Sequence, residues 1–417
     1  MANQYLGFRV APADVAFGLM AEYEADPHPR KVSLIAGTYR DENGRPWILP
    51  SVKEAKQNLM ANTSHEYLGI AGSPKFIKLA KSLVFGAELS VEIEDHVASI
   101  QTVSGTGANH MAALFLAKNL RPKHVLIPSP TWVNHRAIWD AVHVPILEYP
   151  YYSPETKKVD IKGMLSALED TAETGDVVVL QACAHNPTGA DLSQTEWKQV
   201  ADMVKRKKLF TVFDSAYQGF ATGNVDRDAW PIQYFVEHII LDKDSKSGSN
   251  NHGLCVAQSF SKNFGLYGER VGALHLVTPL HLSSHAVQSE FLCMARAEYS
   301  NPPRYGVSIV EEVLGNERLR AQWERDLLTM SSRIRVMRHA FRHKLEENGA
   351  PGDWSHIESE IGMFNYTGLR RGQVSRLQRE FHIYLLPSGR VSICGLTKKN
   401  VDYVAKAIGE VLKSESA

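Results

Sequence analysis

Apolar residues follow two rhythms along this chain. In its middle they form short, nearly unbroken runs: His124–Ile127 (HVLI), Asp176–Leu180 (DVVVL), Leu209–Phe213 (LFTVF), Leu254–Phe260 (LCVAQSF) and Val271–Val277 (VGALHLV). A strand covered on both faces reads this way, because neither set of alternating side chains meets water. Helical stretches lie between some of these runs. Ser193-Gln194-Thr195-Glu196 has the form of a capping box and opens TEWKQVADMVKRKK,. That helix places Trp197, Val200, Met203 and Val204 on one face and ends on basic residues that complement its dipole,. Alternating strands and helices predict an α/β fold, a mostly parallel sheet sandwiched by helices.

Near residue 310 the period changes. Leu319, Trp323, Leu327, Met330, Ile334, Met337, Phe341 and Leu345 recur every three or four positions. This spacing predicts a long amphipathic helix, stopped by Asn348-Gly349 with Pro351 just beyond,. The remainder reads as a smaller α+β domain ending in a helix, with the boundary placed near residue 315.

Composition narrows the function. The 417 residues are enough for two domains, and 44% are apolar,. Lys plus Arg equals Asp plus Glu at 46 each, so no overall charge draws the chain to nucleic acid or to anionic membranes,. No apolar run is long enough to span a bilayer,. The N-terminus lacks the features of a signal or transit peptide, which makes a cytoplasmic protein the expectation; a trimmed organellar form would read the same,. Cys183, Cys255, Cys293 and Cys394 form no C-x-x-C pair and read as free thiols,. His339 and His343 are spaced for a metal, but no third ligand stands near them, so they read as a solvated helix face,.

The unusual residues follow the strands. LFTVF runs into Asp214-Ser215-Ala216-Tyr217, and VVVL into His185-Asn186-Pro187-Thr188-Gly189. CVAQSF runs into Ser261-Lys262-Asn263, with Gly268-Glu269-Arg270 close behind. Ligands of open parallel sheets bind outside the carboxyl ends of the strands. Charges at those ends need partners, because an unpaired buried charge is costly. Ser104-Gly105-Thr106-Gly107 precedes an apolar-faced stretch, and such a turn offers free N–H groups to a phosphate,. Together these residues suggest a site for an anionic, electron-withdrawing cofactor.

At these residues the sequence resembles the aspartate aminotransferases of the pyridoxal-phosphate (PLP) fold type I. The resemblance runs from Asp26-Pro27 to about Lys406 through GTYRDENGRPW, HEYLGIAG, SGTGANH, PTWVNH, ACAHNPTG, FDSAYQGF, SFSKNFGLYGERVG, SNPPRYG, GMFNYTGL and SGRVSICGL. It implies a seven-stranded sheet in a large domain (45–315), a small domain (13–44 plus 316–417) and an N-terminal arm (1–12). It implies that Lys262 holds PLP and carries a proton from substrate to cofactor, and that Asp214 pairs with the pyridine nitrogen. Asn186 and Tyr217 would bond the ring oxygen, and Trp132 would stack on the ring. Ser104, Gly105, Thr106, Ser259 and Arg270 would hold the phosphate, joined by Tyr67 from a neighbouring subunit of a homodimer. Arg390 would bind the substrate's α-carboxylate, and Arg296 would cross to the partner's site for a distal carboxylate. Gly37, Asn134 and His135 would line the pocket or support it, and Ser129-Pro130 and Asn186-Pro187 would be cis.

The expected reaction is ping-pong transfer of the amino group of L-aspartate to 2-oxoglutarate, giving oxaloacetate and L-glutamate. An aromatic or dual-specificity aminotransferase would keep both arginines. A non-catalytic PLP-binding or scaffold protein could dispense with Lys262, Asp214 or Arg390, all present here. The chain departs from the pattern at Ile35-Ala36-Gly37-Thr38, where the family often has Gly-Val-Gly-Ala, and at Gln181, where it often has His. Bulk at Ile35 and a hydroxyl at Thr38 would alter domain closure; by the resemblance Gln181 belongs to the surroundings of Asp214 and His135, and it cannot carry a proton.

Overall fold

The computed structural model describes residues 13–60, 64–242 and 253–414. The arm expected at 1–12 lies outside them.

A seven-stranded sheet forms the centre. Its strands, in chain order, are β1 (Val97–Val103), β2 (Val125–Ser129), β3 (Ile146–Pro150), β4 (Val177–Gln181), β5 (Phe210–Ser215), β6 (Leu254–Ser259) and β7 (Val271–Val277). The spatial order is β1-β7-β6-β5-β4-β2-β3. Only β7 runs against its neighbours; the other pairings are parallel. The five strands read from apolar runs are all present, shifted by a residue or two.

Two strands were not legible in the pattern. β1 carries Ser99, Gln101 and Thr102, yet all three are buried. Ser99 Oγ meets His275 Nδ1 at 2.8 Å, and Gln101 Nε2 donates to the Pro303 carbonyl at 2.8 Å. Polar side chains satisfied in this way lose their desolvation penalty, so the strand needs no apolar run. β3 is the sheet edge, and of its five residues only Tyr149 is buried.

Buried residues on the two faces of the sheet form separate apolar clusters. One holds Leu126, Val178, Leu180, Phe213 and Val256 with the capped helix Gln194–Lys207. The other holds Ile127, Val179, Val212 and Cys255 with α1 (Ser104–Asn119). This is why every residue of β4 and β5 is buried and Val177–Leu180 is an unbroken apolar run.

The long helix is α2 (Glu317–Glu347), and its predicted stripe is buried throughout. Each such side chain contributes about 1.5–3 kcal/mol by leaving water. The C-terminal part adds the antiparallel pair Phe364–Tyr366 with Arg390–Ser392. The segment Val32–Ser33 pairs in parallel with Ile383–Tyr384, bringing the chain's early residues against its late ones. Among the described residues no helix is long and apolar enough to cross a membrane.

Candidate active site

The carboxyl ends of β4, β5 and β6 open onto a cavity of about 270 Å³. Asp214 is the fifth residue of β5, and Gln181, the last of β4, is its register partner. Asn186 follows β4 on a loop closed by a cis Asn186-Pro187 bond; Ser129-Pro130 is also cis. Lys262 lies three residues beyond β6. Parallel register thus gathers side chains that are far apart in sequence.

One wall is built for an anion. α1 starts at Ser104, and no side chain caps it. The first N–H groups of a helix lack internal acceptors, and here Ser104, Gly105 and Thr106 line the cavity,. Ser104 and Arg270 both hold left-handed backbones, at φ 63° and 55°, and the Ser104 N–H donates to the Arg270 carbonyl at 3.0 Å. Ser259 and Arg270 line the same wall. Arg270 is steadied by donation to the Tyr267 carbonyl at 2.9 Å, and Ser104 Oγ meets Ser261 Oγ at 3.0 Å. Gly272 makes this packing possible: a Cβ there would lie 2.4 Å from the Ser104 carbonyl carbon.

The centre holds the reactive groups. Lys262 Nζ sits 5.1 Å from the centre of the Tyr217 ring. Burial lowers the pKa of its amine; Asp214 opposes this, and Arg270 and Arg390 add to it,. Burial, helped by Asp214, raises the Tyr217 phenol, so it stays protonated and can donate. Asp214 Oδ2 meets His135 Nε2 at 3.1 Å. Trp132 forms part of the wall, its ring edge-on to His135 at 5.3 Å.

The far wall belongs to the C-terminal part. Arg390 donates to Asn186 Oδ1 at 3.2 Å and to the Ile35 carbonyl at 2.7 Å. Its guanidinium stacks over Phe364 at 4.2 Å. Burial lowers its pKa to about 10, which leaves it charged at neutral pH. Its Nε is buried without a hydrogen-bond partner among the described residues. Gly37 lets the chain pass Phe364, whose Cζ would be 2.9 Å from an added Cβ.

Twelve of the predicted site residues line this one cavity: Gly37, Ser104, Gly105, Thr106, Trp132 and Asn186 with Asp214, Tyr217, Ser259, Lys262, Arg270 and Arg390. Tyr67 and Arg296 do not. Tyr67 is 84% exposed, and Arg296 is exposed on the helix His285–Glu298, donating to Ser300. The cavity also takes in Ser261, Tyr267 and Phe364, to which no role was assigned from sequence. Ile35 packs with Leu19 and Tyr384 and offers the cavity its carbonyl, so its bulk does not narrow the site.

A half-enclosed lysine amine of lowered pKa faces a carboxylate across a cavity, with an anion cradle at one end. On a fold type I sheet this defines a pyridoxal-phosphate enzyme, and the residues present fit the cofactor: uncapped N–H groups and Arg270 for its phosphate, Asp214 for its ring nitrogen. The chain belongs to the family "Aminotransferase class I and II", whose model matches residues 29–408. It is a PLP-dependent transaminase.

Its relatives agree with this. An aspartate aminotransferase from the cytoplasm of Saccharomyces cerevisiae superposes with a TM-score of 0.94 at 43% identity, covering 99% of this chain and 100% of that one. An L-tyrosine:2-oxoglutarate aminotransferase from Aspergillus ustus is 46% identical over 95% of this chain and 76% of its own length. An aromatic-amino-acid aminotransferase from Burkholderia pseudomallei, solved covalently bound to pyridoxal phosphate, superposes at TM-score 0.90 and 37% identity, over 98% of this chain and 99% of that one.

Proposed function

We propose that this transaminase acts on dicarboxylic substrates, exchanging the amino group between L-aspartate and 2-oxoglutarate to give oxaloacetate and L-glutamate. Arg390, a half-buried guanidinium facing the cavity with no carboxylate partner among the described residues, carries the amino-acid part of the reading, and the 43% identity to the yeast aspartate aminotransferase supports the dicarboxylic part. A buried cation without a counter-charge is costly, and a substrate α-carboxylate removes that cost.

The side chains divide the work. Ser104, Gly105, Thr106, Ser259 and Arg270 hold the cofactor's phosphate, and Trp132 covers its ring. When bound, PLP supplies a ring that takes up the electron pair released as the substrate Cα–H bond breaks. Asp214 holds a proton on the ring nitrogen. Asn186 and Tyr217 donate hydrogen bonds to the ring oxygen, which suits the raised pKa of the Tyr217 phenol. Lys262 would hold the cofactor and would take the substrate Cα proton; its lowered pKa makes the neutral amine available for this,.

Tyr67 and Arg296 complete the site of a second copy in a homodimer, Tyr67 at the phosphate and Arg296 at the distal carboxylate. Two features support this: both are exposed in the single chain, and Arg296 has no carboxylate partner among the described residues. Residues 13–44 and 316–417 form the small domain that carries Arg390, and 45–315 form the large one. The parallel pairing of Val32–Ser33 with Ile383–Tyr384 supports that division. We place the enzyme in the cytoplasm, as the yeast relative is.

Steady-state turnover tests the reading. L-Aspartate with 2-oxoglutarate should be the preferred pair, and the likeness to a tyrosine aminotransferase makes L-tyrosine the competitor to beat.

A further inference from the structure

Gln181 stands beside Asp214 in the sheet register, and its hydrogen bonds form an unbroken path around the cofactor site. The Asn186 N–H donates to Gln181 Oε1 at 2.8 Å. Gln181 Nε2 donates to the Asn186 carbonyl at 2.9 Å and to Thr131 Oγ1 at 3.3 Å. Thr131 Oγ1 meets His135 Nδ1 at 2.8 Å, and His135 Nε2 meets Asp214 Oδ2 at 3.1 Å.

The backbone of Asn186 fixes the direction of the Gln181 bonds, and the Thr131 hydroxyl can pass that direction on to His135. Backbone groups of known polarity hold both atoms of the Gln181 amide, so Nε2 must be the donor toward Thr131. The Thr131 hydroxyl has one hydrogen and cannot give it to an amide N–H. It accepts from Gln181 and keeps its own hydrogen to give, and among the described residues the acceptor within reach of that hydrogen is His135 Nδ1 at 2.8 Å,. The single hydrogen of a neutral imidazole is then on Nε2, facing the Asp214 carboxylate. Asp214 Oδ1 makes no hydrogen bond within the described residues, and Asp214 opens on the cavity.

We propose that Gln181 is a positioning residue that, through Thr131, holds His135 as the neutral Nε2–H tautomer. His135 then occupies one oxygen of Asp214 and leaves the other for the ring nitrogen of the cofactor. A second proton on His135 would have to sit on Nδ1, where the Thr131 hydroxyl already donates. Gln181 has no ionisable group and cannot reverse the direction of its amide without breaking both bonds to Asn186. The same two bonds fix the backbone of Asn186, whose side chain accepts from Arg390. One amide therefore sets both the donor beside Asp214 and the loop that seats the carboxylate-binding arginine. The inference rests on Asp214 serving the cofactor nitrogen, but the tautomer can be read whether or not that holds.

The test is ¹⁵N NMR of histidine-labelled protein, with and without bound PLP, the His135 signals being assigned from the His135→Asn variant. The wild type should show a single neutral His135 protonated on Nε2 at neutral pH. A proton on Nδ1, alone or together with one on Nε2, overturns the proposal and leaves the aminotransferase assignment, which turnover tests, untouched. In Gln181→Glu the Thr131 hydroxyl gains a competing acceptor and Nδ1 is released. His135 should then show a proton on Nδ1 under the conditions in which the wild type shows none. An unchanged Nδ1 signal in a variant that still binds PLP shows that Gln181 does not act through Thr131, and so also overturns the proposal.

Discussion

Arg390 reaches across the cavity to Asn186, Nη1 to Oδ1 at 3.2 Å, joining the C-terminal part of the chain to the loop that follows β4. The contact presents a planar fork to a carboxylate. Arg390→Leu should raise the KM for every amino-acid substrate. The loss of charge-assisted hydrogen bonds, about 1.5–3 kcal/mol, corresponds to about ten- to a hundredfold. Arg390→Lys should recover only part of this, since an ammonium cannot bond two oxygens in one plane. Unchanged KM values in Arg390→Leu would remove this residue from substrate binding.

Lys262 should react with carbonyl reagents in the cofactor-free enzyme at a lower pH than an exposed lysine does, since its pKa is lowered. The sign for stability follows. Between that lowered value and the ordinary 10.5 the unfolded chain holds more protons at this residue, so this lysine adds stability as pH rises through that window,. Lys262→Ala should abolish turnover, because it removes both the anchor and the base; a positioned base alone is worth about 10²–10⁴-fold.

Gly272→Ala tests the anion cradle. The added methyl group would be driven against the Ser104 backbone, which carries the start of α1. Overpacking of this kind costs about 1–3 kcal/mol. PLP affinity, measured by titrating the cofactor-free protein, should fall by about tenfold or more, while circular dichroism stays that of the folded chain.

The strand-end chemistry was legible because it needs only local order. Apolar runs ending at Asp214, Asn186 and Lys262 announce a shared sheet edge, and a Gly- and Ser-rich turn before a helix announces an anion site. The support around them was legible only in part. Gln181 was set near Asp214 by resemblance alone, since its place there comes from the register of two strands, and Gly272 beneath Ser104 depends on an antiparallel pairing across 168 positions. Thr131 could not be joined to Gln181 from spacing alone. The sequence placed Tyr67 and Arg296 at an active site through resemblance, and the single chain leaves both on its surface.

The buried Arg338–Glu360 pair at 3.3 Å should respond unequally to its two partners' removal. Arg338 also donates to the carbonyls of Ile357, Ile361, Gly362 and Phe364, which seat Phe364 under Arg390. Arg338→Met should therefore cost about 3–5 kcal/mol of stability. Burial raises Glu360 to about 7, so a neutral group is already nearly tolerated there, and Glu360→Gln should cost far less. With its folded pKa raised, Glu360 contributes stability that is lost as pH rises from about 4.5 toward 7,. The Gln variant should lack that slope in thermal unfolding.

The most direct test of the account is a titration of the PLP-loaded enzyme with L-aspartate and, separately, with L-phenylalanine, following the visible absorbance of the bound cofactor. A dicarboxylate transaminase that uses Arg296 should lose that band at far lower aspartate than phenylalanine, and Arg296→Ala should erase most of the difference. Equal responses to the two amino acids in the wild type would contradict the proposed specificity and point to an aromatic or dual-specificity enzyme.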